Sequence, residues 1–203
     1  MSTSSSQGDV QVPIAVPAES QALPGDLAMW IFILAELAAF TLFIIAFSVT
    51  QMLYPELFQA GRGQLDPSTG FAMTVGLLSS GFLAALAVER VRVNGPRQAA
   101  LLLVAAMASA MVYVVLKLSE YTHLINAGFD LEYNTFFTLY WLLTLFHFLH
   151  VLLGLLVLAF LAWRCFRLGF NAENRSGMES GVMYWHMIDL AWVIIFPLVY
   201  LLG

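Results

Sequence analysis

The chain of 203 residues is poor in charge and nearly free of cysteine. Charged residues make up 10 % of it, against roughly 25 % in soluble domains, and 61 % of its residues are hydrophobic. That balance excludes a soluble globular domain and identifies an integral membrane protein. The lone Cys165 excludes an internal disulfide; beside Arg164 and near Arg167 at a helix end, it reads as a reduced thiol close to the cytoplasm. No basic cluster points to nucleic acid, and the net charge of −5 comes mostly from acids in the tail and loops. Strand-like alternation and fixed-period repeats are both missing, which leaves an all-α fold.

What is present is a series of long apolar runs. A bilayer core about 30 Å thick takes about 20 apolar residues in helix, and five runs of that size lie near 27–52, 70–89, 98–119, 134–163 and 182–202. Charges, Pro and Gly separate them, as in "YPELFQAGRGQLDPSTG" and "RVRVNGPRQ". Residues 1–26, rich in Ser, Gln and Pro and without Lys or Arg, read as a disordered polar tail; they lack the basic and apolar regions of a cleavable signal peptide. Residues 27–203 then form one bundle of five transmembrane helices. Arg90, Arg92, Arg97, Arg164, Arg167 and Arg175 fall on one side, with Arg62 and the helix-end Lys117 on the other. The positive-inside rule puts the N-terminus in the cytoplasm and the C-terminus in the periplasm.

An Asp near the centre of a span costs roughly 2.5 to 3.5 kcal/mol on insertion scales, so each ionisable residue in these runs needs a reason. The set is Glu36 in the first span, His147 and His150 in the fourth, and His186 with Asp189 in the fifth, with Lys117 and Glu120 near the outer end of the third. His147 and His150, His186 and Asp189, and Lys117 and Glu120 are each three apart, which puts each pair on one helix face. Asp189 is expected to accept a hydrogen bond from His186. The depths of Glu36, His150 and Asp189, about 14, 20 and 10 Å from the same side at 1.5 Å per residue, permit a polar cluster between spans one, four and five. Gly76, Ser80 and Ala84 recur every fourth residue in the second span, and "AAMASAMVY" supplies small residues in the third, a pattern for close helix packing.

Glu36 can be read as a proton carrier or as a protonated acid that bonds a neighbouring helix or a lipid headgroup. Haem or copper ligation by the histidines is the weaker reading, because axial ligands approach a haem from opposite sides and His147 and His150 share a face. An odd span count, no inverted repeat and no matched pair of broken helices weigh against a small-solute transporter. No nucleophile–base pair or metal-ligand set is legible, so no catalytic, cofactor-binding or metal-binding residue is assigned.

The stretches "MWIFILAELAAF", "TVGLLSSGFLAALA", "YVVLKLSEY", "FFTLYWLLTLFHFLHVLLG" and "YWHMIDLAWVIIFPLVYLL" occur in an order that resembles subunit III of the haem-copper oxidases, over roughly residues 24–203. "HFLHVLLG" and "YWHMIDLAW" are the most specific. The resemblance implies a five-helix form like that of bacterial quinol oxidases, without the first two helices of the seven-helix form. It implies a non-catalytic subunit of the bacterial inner membrane that holds no haem or copper and packs against the catalytic subunit I. Bound phospholipid in a cleft between helices is implied as well. Glu36 matches the family carboxylate associated with proton uptake and with reactivity toward carbodiimides. His147, His150, His186 and Asp189 match positions that hold helices together.

Two features depart from the family pattern. Lys117 stands where many members have Gln, and "LFHFLH" replaces a Gly-containing form. With "PGDLAMWIFILAEL" they resemble a branch encoded beside nitric oxide reductases, whose partner would carry haem and non-haem iron and would not pump protons. The alternative function is therefore an accessory protein of nitric oxide reduction.

Overall fold

The computed structural model describes residues 27–167 and 176–202. The expected tail over 1–26 and Arg175 lie outside them. Five described helices are long and apolar enough to cross a membrane: α1 (Leu27–Leu53), α3 (Pro67–Arg92), α4 (Pro96–Asn126), α5 (Thr135–Arg167) and α6 (Ser176–Phe196), the last continued by a π-helical turn over Pro197–Leu201. Between α1 and α3 lies a short helix, α2 (Pro55–Arg62). The sequence pattern treats that stretch as a loop. Its eight residues bury Phe58 and Gly61, half-bury Leu57 and Arg62 and expose the rest, the pattern of an amphipathic helix at a surface.

The helices run past the apolar windows because the caps, rather than hydropathy, set their ends. α3 starts on Asp66, whose carboxylate accepts the Ser68 N–H at 3.0 Å and the Thr69 N–H at 3.3 Å, with Pro67 as first residue. The Thr69 and Ser68 hydroxyls also donate to this exposed group and hold its pKa down at about 2. Its capping contribution is complete above about pH 4 and is lost only as pH falls toward the folded value. α4 runs to Asn126 and stops where Gly128 takes a φ of 82°. α5 starts on Asn134, whose side chain accepts the Phe137 N–H at 3.0 Å.

Burying apolar surface does not drive helices together in lipid; close packing and interhelical hydrogen bonds do. α3 and α4 form the closest pair. The Ser109 hydroxyl donates to the Gly76 carbonyl at 2.8 Å, and Gly76, Ser80 and Ala84 all face inward, as their spacing predicts. α6 packs on α3, α5 and α1. Gly154 of α5 lies under the Trp185 ring, and Gly181 of α6 lies under Leu161. At the end of the bundle opposite Arg90, Arg92, Arg164 and Arg167, Phe47, Phe58 and Phe136 interlock, with ring centroids 5.0 and 5.3 Å apart, and bind α2 to α1 and α5. Leu34, Leu42, Phe71, Phe82, Leu156 and Phe160 point outward, as a hydrocarbon solvent requires.

A methyl group on Gly154 would sit 2.6 Å from the Trp185 ring. Gly154→Ala should destabilise the α5–α6 contact by about 1–3 kcal/mol, the usual cost of overpacking. Thermal unfolding in mild detergent measures it. Gly177→Ala, with its nearest contact at 3.6 Å, should leave the melting temperature unchanged.

Candidate functional site: three polar centres inside the bundle

The most complete polar construction is one that spacing alone understates. Lys117 is fully buried. Its Nζ donates to Glu120 Oε1 at 2.6 Å, to Tyr140 Oη at 3.0 Å and to Tyr200 Oη at 3.0 Å. The Tyr200 hydroxyl in turn donates to Glu120, 2.8 Å from Oε1 and 2.9 Å from Oε2, and the Tyr140 hydroxyl also donates to Glu120. All three ammonium hydrogens have acceptors, and the rings of Tyr121, Tyr140, Trp192 and Tyr200 surround the charge at 4.8 to 5.6 Å. These contacts tie α4, α5 and the C-terminal turn together. Glu120 stands level with Gln64 and Asp66 at the start of α3, although α4 itself runs on beyond it. α4 continues for two more turns past them, and Lys117 lies about 13 Å from its last residue. Because Lys117 is sealed inside, it has no weight in the charge count of the loops.

Pro197 brings Tyr200 to this centre. Proline cannot donate the bond that continues α6, so the ladder widens and the Leu202 N–H reaches back to the Pro197 carbonyl at 2.8 Å. Arg62 of α2 donates to the carbonyls of Leu198 (3.1 Å) and Val199 (3.2 Å), and Gln51 donates to the Leu202 carbonyl (2.8 Å). Partial burial lowers the pKa of the Arg62 guanidinium. Glu120 also borders an open cleft of about 470 Å³ whose other walls include Gln64, Asp66, Thr69, Ser119 and His123.

The second centre joins Glu36 of α1 to His150 of α5. His150 Nε2 lies 3.0 Å from Glu36 Oε2, and its Nδ1 lies 2.8 Å from the Phe146 carbonyl. A carbonyl only accepts, so Nδ1 carries a hydrogen. The contact at Nε2 then requires a second proton, held by either the imidazole or the carboxyl. Either way the pair carries no net charge, which suits it to hydrocarbon. The side chains are 22 % and 12 % exposed, so the seam between α1 and α5 leaves the carboxyl within reach of its surroundings.

His186 and Asp189 form the third centre, and it lies apart from the second. The expected single cluster of Glu36, His150 and Asp189 divides because Asp189 turns toward α3, where its carboxylate occupies the space over Gly81. His186 Nδ1 stands 3.4 Å from Asp189 Oδ2, a long contact, and Asp189 Oδ1 is buried without a partner. Since α6 starts at Ser176 rather than 182, Asp189 is about 20 Å along its helix, not 10 Å. His147, three residues from His150, flanks Phe40 with it but takes different neighbours. Its ring stacks on Trp192 at 5.1 Å and meets Tyr113 edge-on at 5.6 Å, with neither nitrogen hydrogen-bonded. Among the described residues no three His, Cys, Asp or Glu side chains gather as metal ligands.

The four-residue cage was only half visible in the sequence. Lys117 and Glu120 stood out, but Tyr140 and Tyr200 look like ordinary core aromatics until the proline-induced turn is known. Removing one partner of a buried ion pair leaves the other uncompensated, at about 3–5 kcal/mol, whereas replacing the whole pair by neutral groups is often nearly neutral. Lys117→Met should therefore lower the melting temperature in detergent sharply, and Lys117→Met with Glu120→Gln should recover most of the loss.

The chain matches the family model described as cytochrome c oxidase subunit III over residues 25–203. It is similar to a cytochrome c oxidase subunit 3 of Synechocystis sp., 29 % identical, with 87 % of this chain and 76 % of the relative covered. A probable quinol oxidase subunit 3 of Staphylococcus saprophyticus is 26 % identical over 87 % and 88 %. A quinol oxidase subunit 3 of Bacillus spizizenii is 25 % identical over 97 % and 95 %. Each of these is named as an oxidase subunit, so the nitric oxide reductase branch suggested by Lys117 and "LFHFLH" gains no support; the tyrosine cage gives Lys117 a structural reason instead. The chain is a multi-pass membrane protein that belongs to the cytochrome c oxidase subunit III family, the third subunit of haem-copper oxidase complexes.

Proposed function

We propose that the chain is a redox-inactive subunit that packs in the hydrocarbon against the catalytic subunit I of a bacterial inner-membrane oxidase, with its N-terminus in the cytoplasm. Haem and copper belong to that partner, which takes electrons from a cytochrome c or a quinol. Phospholipid covers the outward apolar faces. In this assembly the Lys117–Glu120 cage and the small-residue seam of α3 and α4 keep the bundle rigid, and Glu36 with His150 supports proton uptake by the catalytic subunit.

The carrying observation is the 3.0 Å contact between His150 Nε2 and Glu36 Oε2, with Nδ1 already committed to the Phe146 carbonyl. A proton can pass between these two atoms without creating net charge in the membrane. Such a pair holds a proton at low electrostatic cost and returns it when its surroundings change. Lys117 cannot share this task, because its three hydrogens are bound in a closed ring.

Glu36→Gln keeps a hydrogen-bond donor for His150 and removes the exchangeable proton. The variant complex should assemble with full haem content, while steady-state turnover falls most at high pH, where protons are scarce. Unchanged turnover across the pH range would make the carboxyl a helix fastener only.

A further inference from the structure

The seam between α1 and α6 holds a hydroxyl that no bond of the bundle uses. Tyr184 of α6 is 3 % exposed, and its Oη is buried with no hydrogen-bond partner among the described residues. A buried tyrosine hydroxyl usually finds a partner, so one that has none calls for a reason. Its ring packs on α1, with its centroid 5.8 Å from that of Phe32.

Phe32, Glu36 and Phe40 follow one another at intervals of four and form a single stripe along α1. Phe32 meets Tyr184 of α6, Glu36 meets His150 of α5, and Phe40 meets Phe146, His147 and His150 of α5. The residue that Tyr184 touches is therefore one turn of α1 from Glu36, about 6 Å along the axis. Glu36 is also the charge that acts on the Tyr184 hydroxyl.

The other titratable groups around α1 have their own surroundings. On α5, His150 is shared between Glu36 Oε2 and the Phe146 carbonyl, and His147 lies past Phe40 against Trp192 and Tyr113. On α6, His186 and Asp189 turn to α3. α2 brings Glu56 and Arg62, but it joins α1 at the far end, about 25 Å from Glu36.

We propose that Tyr184 is a positioning residue for the Glu36–His150 pair, whose hydroxyl donates to Oε1, the Glu36 oxygen that His150 does not take, when the carboxyl is charged. The proposal rests on the reading of that pair as proton-handling. The contact closes by rotation of the Glu36 side chain. A hydrogen bond to a carboxylate is about twice as strong as one to a neutral acid, so the Tyr184 contact favours the state in which the proton has left Glu36 for His150 Nε2. The phenol keeps its own proton, since its ordinary pKa of about 10 lies far above that of a carboxyl. His150 thus exchanges the proton from α5, and Tyr184 steadies from α6 the carboxylate that remains.

The test uses the intact complex from its native membrane and the variant Tyr184→Phe, which keeps the ring and its contact with Phe32. Infrared difference spectra between high and low pH identify the Glu36 carboxylate bands as those that Glu36→Gln abolishes. In Tyr184→Phe these bands should shift in position at an unchanged melting temperature, and turnover at high pH should fall between that of the parent and that of Glu36→Gln. A role in packing alone would leave the bands where they are. Unmoved bands and parental turnover in Tyr184→Phe would overturn the Tyr184 contact while leaving the pair intact. If Glu36→Gln itself leaves turnover unchanged, the proton-handling reading falls and the proposal with it.

Discussion

A fully buried ammonium, Lys117, shapes this bundle more than any other single group. In hydrocarbon it can persist only where every hydrogen has an acceptor and its counter-charge is within reach, and here the acceptors come from three separate elements. Glu120 lies one helical turn along α4, Tyr140 comes from α5, and Tyr200 arrives only because Pro197 widens the end of α6. The net energy of such a pair is small, since desolvation offsets attraction. Its effect is on specificity. Many packings of greasy helices have similar energies, but few of them complete this ring, so the alternatives leave a buried charge exposed to lipid.

The remaining polar groups divide along the same physical line between closed and open. The cage is closed: each donor has its acceptor, and what it contributes is rigidity. Glu36 and His150 form an open pair, neutral as a unit but able to hold its proton on either atom. His186 beside Asp189 is only loosely held, with a long contact and a half-exposed side chain. Closed networks suit rigidity, and open pairs suit the proton handling proposed for Glu36 and His150.

Much of this was legible in the sequence, because a membrane simplifies the problem. Five apolar runs gave five helices, and the spacing of Gly76, Ser80 and Ala84 gave the α3–α4 seam. α1 and α5 start where their apolar runs do, but α4 runs on to Asn126, α6 starts already at Ser176, and Asp66 caps α3 from a position that hydropathy assigns to a loop. α2 was missed for the same reason: "PELFQAGR" is amphipathic, not apolar. Among site residues, Glu36, His150, His186 and Asp189 were all identifiable by the cost of their burial. The spacing also gave the His186–Asp189 contact, but it did not fix Glu36 on His150. The i, i+3 rule put His147 beside His150, yet the 60° that separates the two directions sends one to Trp192 and the other to Glu36. Asp189 meets α3 instead of Glu36 because only Gly81 leaves room for its carboxylate, a fact of three-dimensional packing that no spacing reveals.

The central proposal is that these polar groups serve structure and proton handling, and that the redox centres belong to the partner. The most direct measurement is a reduced-minus-oxidised spectrum of the native complex before and after this chain is stripped away in detergent, with mass spectrometry of every co-purifying subunit. The account predicts that all haem absorbance stays with a large catalytic subunit and that the released chain is colourless and still helical. A haem band that follows the isolated chain would contradict it and return His147, His150 or His186 to the role of ligands.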